Sequence, residues 1–379
     1  PHALKLLEAG RLALADLQTD PRAEARAAFI KAAGWGDADV RAFPGDASSR
    51  SYFRLNRGDD TAILMDAPGG SEAPACPIDA SDADRQALGY NAVARLAGNN
   101  TAAFAAISSA LTARGFSAPR IFEADIDQGF LILEDLTDAL FARLIPSVAH
   151  EGALYATAVE ALAAIYRSSF EREPTAFGHA WAIQDYDALA LSAETELFTD
   201  WYAPHKGQPP SQADKADWRK AWADVLPALN AHAPGLVLRD YHAENLIWLP
   251  QREHEAKVGL LDFQDALFGH PAYDLVSLIE DARRDVAPDL ATPLTDRFFN
   301  AAGLSDREAF DAAAAVLAAQ RNAKILGIFV RLAQRDGKPR YLDLLPRVER
   351  HFVRDLAHPV LAPVRAVASA LTPALFEKA

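Results

Sequence analysis

The stretch from Leu236 to Asp262 limits what this chain can fold into more than any other. Leu236-Val237-Leu238 is a short apolar run that leads into Arg239-Asp240-Tyr241-His242-Ala243-Glu244-Asn245. Leu246-Ile247-Trp248-Leu249 reads as a strand, 250–257 as a polar turn, and Val258-Gly259-Leu260-Leu261 as a second strand that ends at Asp262-Phe263. Two strands joined by a turn form a hairpin, and a hairpin brings its outer ends together. Asn245 and Asp262 are therefore expected side by side, with Asp240 on the loop that enters the hairpin. Two carboxylates and one carboxamide then converge at one end of the pair.

That donor set has a chemistry. Asn and Asp supply the hard oxygen ligands that Mg²⁺ takes. A second carboxylate beside them can orient a hydroxyl and accept its proton. Taken singly, each residue has a structural use, as a turn cap, a loop brace or a strand end. Together and in this order they suit phosphoryl transfer from a nucleotide.

The flanking sequence supplies two different textures. A helical pattern covers 4–18, and Asp20-Pro21 is expected to cap and open a second helix that ends near Gly34. Runs at 40–43, 51–55 and 61–65 read as strands, then helices over 81–97 and 101–114, then strands at 119–124 and 130–133. After Leu136 helical patterns dominate, as at 153–170 and 218–229, and again over 271–379. The expected fold class is α+β with two lobes. A small antiparallel-sheet lobe over 21–136 follows an N-terminal extension, 1–20. A larger, mostly helical lobe over 137–379 completes it, and the cleft lies near 133–138.

Composition excludes several alternatives. The 379 residues carry 38 Lys+Arg against 52 Asp+Glu, a formal charge of −14, which opposes a nucleic-acid or anionic-membrane binder. The one cysteine, Cys76, can make neither an internal disulfide nor a thiolate cluster. Apolar stretches are short of bilayer length, and no basic-then-apolar leader opens the sequence, so a cytoplasmic protein is expected.

The motifs Leu238–Leu246 and 259–266, continued by Gly269-His270-Pro271-Ala272-Tyr273-Asp274-Leu275, resemble those of the aminoglycoside phosphotransferase and choline kinase family. The resemblance covers roughly 22–355. It implies a protein-kinase-like fold and ATP-dependent phosphorylation of a small molecule. It also implies Asp240 as catalytic base, Asn245 and Asp262 as Mg²⁺ ligands, and Asp274 as a brace of the catalytic loop. Where the family usually has His-Gly before the base, this chain has Leu238-Arg239. A narrower set, including Gly34-Trp35-Gly36, 45–50, Met65-Asp66-Ala67-Pro68, 324–329 and 336–341, is similar to bacterial kinases of cell-wall recycling. Those kinases phosphorylate the anomeric (C1) hydroxyl of N-acetylmuramate or N-acetylglucosamine. Aminoglycoside, choline, homoserine or methylthioribose kinases would share the same catalytic residues, and a degraded nucleotide-binding module is a further alternative.

Kinase-like folds usually carry a Lys on the third strand and a Glu on the next helix. Here that strand reads Ile63-Leu64-Met65-Asp66, and no Glu occurs between Glu72 and Glu123. Losing both together leaves no uncompensated charge. Arg50 and Arg54 flank the small-residue loop, and they either face the phosphates or are solvated edge-strand charges. Gly45, Ser48 and Ser49 would offer N–H and hydroxyl groups to phosphate oxygens. The backbone near Glu134 and Leu136 stands where a linker would bond adenine. His242 would position the loop or touch substrate. Arg321 and Lys324, at i and i+3 on one helix, would take an anionic substrate group or pair with nearby acids.

Overall fold

A computed structural model describes residues 21–43, 50–69, 75–145 and 151–377. The helix expected over 4–18 and the loop residues Gly45, Ser48 and Ser49 lie outside the described residues.

Five antiparallel strands form the first lobe: β1 (Asp39–Ala42), β2 (Ser51–Arg57), β3 (Asp60–Asp66), β4 (Ile121–Asp125) and β5 (Phe130–Glu134). Their order is β1-β2-β3-β5-β4. The register sets Phe53 opposite Leu64, and Leu64 opposite Ile132, so one face of the sheet is apolar across three strands. The helix Ala23–Ala32 covers that face with Ile30. It starts later than Asp20-Pro21 predicts: Arg22 is the N-cap and makes no side-chain cap bond. Arg22 and Arg26 instead reach Asp66 at 2.8 and 3.0 Å, tying the helix to the end of β3. The other face of the sheet packs against Thr101–Thr112, which Asn100 caps through Ala102 and Ala103. The helix expected over 81–97 is two pieces, Asp82–Leu88 and Tyr90–Val93, separated by Gly89 at φ +97°. A non-glycine residue is strained at such a φ, so the chain breaks there.

The second lobe is helical, with a minor hairpin of β6 (Thr175–Ala176) and β7 (His179–Ala180). Its centre is Arg307–Gln334, a helix of 28 residues. It is long and apolar enough to cross a membrane, yet 72% of its apolar window is buried inside the fold. It is a core helix. Gly327 lets it approach the Leu197 carbonyl so closely that an added Cβ would lie 2.2 Å from the oxygen. The helix expected over 218–229 begins earlier, at Gln212, capped by Ser211, and gives way at Val225 to a 3₁₀ turn carrying Pro227.

The central hairpin is β9 (Leu246–Trp248) and β10 (Val258–Leu260), paired antiparallel with Leu246 opposite Leu260. The apolar run before it does not join this pair. Gly235–Val237, β8, pairs with Leu267–Gly269, β11. The hairpin is fastened to the sheet lobe. Leu260 N–H donates to the Ser117 carbonyl at 2.9 Å, and Arg252 bonds Ser117 Oγ at 2.7 Å and Glu134 at 2.6 Å. One apolar core runs through both lobes, from Met65 and Phe104 to Phe352 and Leu371.

Candidate active site

The loop between β8 and β9 is held from beneath. Asp274 opens the helix Ala272–Ile279 and accepts the backbone N–H of Leu238 at 2.6 Å and of Arg239 at 2.9 Å. Burial pushes its carboxyl up to about 7, against the pull of these two bonds. Tyr241 is buried and donates to the Ala158 carbonyl at 2.8 Å, fixing the loop to the helix Glu151–Arg167. Arg239 takes φ +72°, a left-handed conformation that costs a non-glycine residue about 1–3 kcal/mol. This is where the related motif has glycine. The cost is offset by its guanidinium, which bonds Glu194 and the Ala94 carbonyl and lies over Tyr186.

Asp240 follows directly, at the surface of the cleft, and among the described residues no donor is bonded to its carboxylate. Asn245 turns its amide nitrogen inward, to the Asp240 carbonyl at 3.0 Å and to His242 Nε2 at 3.4 Å. Its amide oxygen is left for an outside partner. Leu261 N–H donates to the Asn245 carbonyl at 3.0 Å, which puts Asp262 beside Asn245. Asp262 also has positive φ, +57°. Phe263 anchors it: the ring is fully buried and lies 4.9 Å from Phe104 of the sheet lobe.

The charges at this point are unbalanced. Enclosure by the cleft raises the Asp262 carboxyl, and the Asp240 charge raises it further, while Arg50 and Arg283 oppose them. The Asp262 side chain is still 48% open to solvent, so a ligand can reach it. Gln264 holds one of its oxygens at 2.8 Å. Two mutually repelling carboxylates with an outward carboxamide oxygen call for a small hard cation. No three His, Cys, Asp or Glu side chains cluster as a metal cage among the described residues. A site built from one Asp and one Asn would need phosphate oxygens and water to complete it, which is how Mg²⁺ is usually held.

Several expected contacts lie elsewhere. Arg50 comes to the site: it is 3.7 Å from Asp262 and bonds the Gly98 carbonyl at 3.0 Å. Arg54 is not an available cation. It pairs with Asp135 and Asp138, each at 2.8 Å, because its strand runs past the junction of the lobes. Arg321 and Lys324 are not a joint anion receiver. Lys324 meets Glu194 at 2.9 Å, and Arg321, buried, donates to the Glu280 carbonyl at 3.2 Å. The Glu134 N–H is already bonded to the Arg120 carbonyl, and the Leu136 side chain packs with Ile247 and Leu249. His242 is buried and neutral. Desolvation, reinforced by Arg283, lowers its pKa to about 3. The sequence reading misses Arg283, Gln264 and Asp281. The charged run Glu280-Asp281-Ala282-Arg283-Arg284-Asp285 after an apolar helix is the one signal that marks two of them.

The phosphotransferase enzyme family matches residues 39–313. The N-acetylmuramate/N-acetylglucosamine kinase of Caulobacter vibrioides is 44% identical over 345 residues, 91% of this chain and 95% of its own. The protein of the same name from Pseudomonas putida is 30% identical over 83% of each chain. Among solved structures, a choline/ethanolamine kinase family protein from Mesorhizobium loti superposes with a TM-score of 0.55 at 16% identity, covering 90% of this chain and 98% of its own. The streptomycin–ATP–APH(2″)-IIa complex superposes at 0.53 and 13% identity, covering 88% and 99%. The two-lobed, protein-kinase-like fold is shared with these structures. A family match across most of the length, and a relative so similar over nearly the whole of both chains, place this protein in the phosphotransferase enzyme family.

Proposed function

We propose that the protein is an ATP-dependent kinase that phosphorylates the anomeric (C1) hydroxyl of N-acetylmuramate or N-acetylglucosamine, in the cytoplasm, for cell-wall recycling. The observation that carries the reading is Asp240. It stands unengaged by any described donor beside Asn245 and Asp262, in a chain whose near full-length relatives carry the name of this kinase.

Asn245 and Asp262 would hold Mg²⁺, which when bound neutralises phosphate charge and orients the terminal phosphoryl group. Asp240 accepts the proton of the sugar hydroxyl as its oxygen bonds to the γ-phosphorus and the bond to the leaving ADP oxygen breaks. Arg50 supplies positive charge that the third strand lacks. The segment at Glu134–Leu136 receives adenine through its backbone. Most of the rate enhancement then comes from positioning and charge neutralisation.

Phosphorus NMR after incubation with Mg²⁺-ATP and a panel of sugars tests the reading. A new sugar-1-phosphate signal is expected with the two N-acetylated amino sugars. Phosphate on another hydroxyl, or transfer only to an aminoglycoside, choline, homoserine or methylthioribose, overturns it.

A further inference from the structure

We propose that Arg283 forms an anion subsite beside the catalytic loop and receives the lactyl carboxylate of N-acetylmuramate, a group that N-acetylglucosamine lacks. The inference rests on the function proposed above and names the residue that would tell the two sugars apart.

The acceptor side of the cleft is electrostatically hostile to an acid. Asp240 and Asp262 face it, and the whole chain carries a charge of −14. An anionic sugar therefore needs a local cation. Most nearby cations are already engaged. Arg239 and Lys324 share Glu194, Arg54 is held by Asp135 and Asp138, and Arg321 is buried against Glu280.

Arg283 differs. Its backbone N–H is fixed by Asp281 at 2.8 Å, and its side chain is 34% exposed. The guanidinium spans the catalytic loop, with Nε 2.9 Å from Glu244 and Nη1 3.2 Å from His242 Nε2. Both contacts lie within the Asp240–Asn245 segment, and the charge reaches far enough to pull down the Asp262 carboxyl. Among the described residues its remaining N–H groups meet no protein acceptor. Glu244 is half exposed, and an exposed ion pair contributes only about 0–1 kcal/mol. A ligand carboxylate can share the arginine at small cost, and the planar guanidinium suits it in a bidentate manner.

The surroundings also carry unsatisfied polar atoms. His242 Nε2 accepts from Arg283, so the ring proton sits on Nδ1. Nδ1 is buried without a partner, as is Asp281 Oδ2. Both atoms are closed to solvent, so a ligand would meet the half-open arginine and not these two groups.

The test is a cycle between one residue and one substrate group. kcat/KM is measured for unaltered protein and Arg283→Gln, each with N-acetylmuramate and with its lactyl methyl ester. Esterification should cost the unaltered protein about tenfold and the variant less than about twofold, as expected for loss of one charged hydrogen-bonded contact. Equal cost in both overturns the subsite. Circular dichroism and thermal unfolding of the same preparations report whether the variant is folded. Arg283→Lys, which keeps the charge but not the fork, should fall between the two. Calorimetry with a non-hydrolysable ATP analogue separates the two proposals. If the unaltered protein binds neither sugar, the function fails and the subsite with it. If both sugars bind with the same discrimination before and after substitution, only the subsite fails.

Discussion

The Asp274 carboxylate accepts the N–H of Arg239 at 2.9 Å, one residue before the proposed base, and takes the Leu238 N–H with its other oxygen. Both oxygens are engaged by donors. Asp274→Asn turns an amide N–H toward one of them. An unsatisfied buried group of this kind costs about 1–3 kcal/mol. Denaturant unfolding should show that loss, and kcat should fall by about tenfold as Asp240 loses its fixed position. Unchanged kcat with reduced stability would confine Asp274 to a structural role.

Asp240→Asn removes the proton acceptor and leaves Asn245 and Asp262 in place. Turnover is expected to fall by about 10²–10⁴-fold, the usual worth of a general base. Affinity for Mg²⁺-ATP, read by calorimetry, should be kept. Wild-type turnover in this variant removes Asp240 from the reaction.

Asp262→Asn should separate function from stability. The carboxyl is raised by enclosure and by Asp240, so the charged form is disfavoured in the ligand-free fold. Removing the charge should raise the Tm of the free protein and abolish the additional Tm rise on adding Mg²⁺-ATP. A variant that still gains Tm from the metal-nucleotide excludes Asp262 as a ligand.

Glu194 is wholly buried between Arg239 and Lys324 and bonds Tyr186 and Gln320. Burial pushes its carboxyl up, but Lys324 and Arg239 outweigh that and hold it below the ordinary range. Glu194→Gln leaves two cations facing each other, whereas Lys324→Met still leaves Glu194 paired with Arg239. The first should cost about 3–5 kcal/mol and the second less. The reverse order in chemical denaturation contradicts this account.

His270 is buried, and desolvation, with a smaller effect of His232, lowers its pKa from 6.5 to about 3. The unfolded chain takes up a proton as pH falls through 6.5, while the folded chain does not until about 3. Stability contributed by the neutral ring is thus full above pH 6.5 and is lost progressively between 6.5 and 3. His270→Gln should flatten the fall of Tm over that range. An identical pH profile in the variant removes His270 from the acid sensitivity.

The site was more legible than its surroundings for a physical reason. Asp240, Asn245 and Asp262 sit at the ends of short apolar strands with polar turns between them, and local pattern suffices to bring them together. The β8–β11 pairing joins Val237 to Leu267 across the whole hairpin, and no local pattern announces such a contact. The destinations of Arg54 and Lys324 depend on Asp138 and Glu194, which are distant in sequence, so charge alone could not assign them. Glycine at the left-handed position before the base would have been a strong signal. Arg239 hides it, because buried bonds to Glu194 and Ala94 compensate the backbone.

The clamp of Arg22 and Arg26 on Asp66 has a consequence for control. Many kinases are switched by moving a helix so that a lysine on the third strand meets or loses a glutamate. β3 has no lysine, and the carboxylate at its end is locked by two arginines from the first described helix. That switch is closed to this chain. Any control of the proposed activity would have to act elsewhere in the fold or through the supply of its substrates.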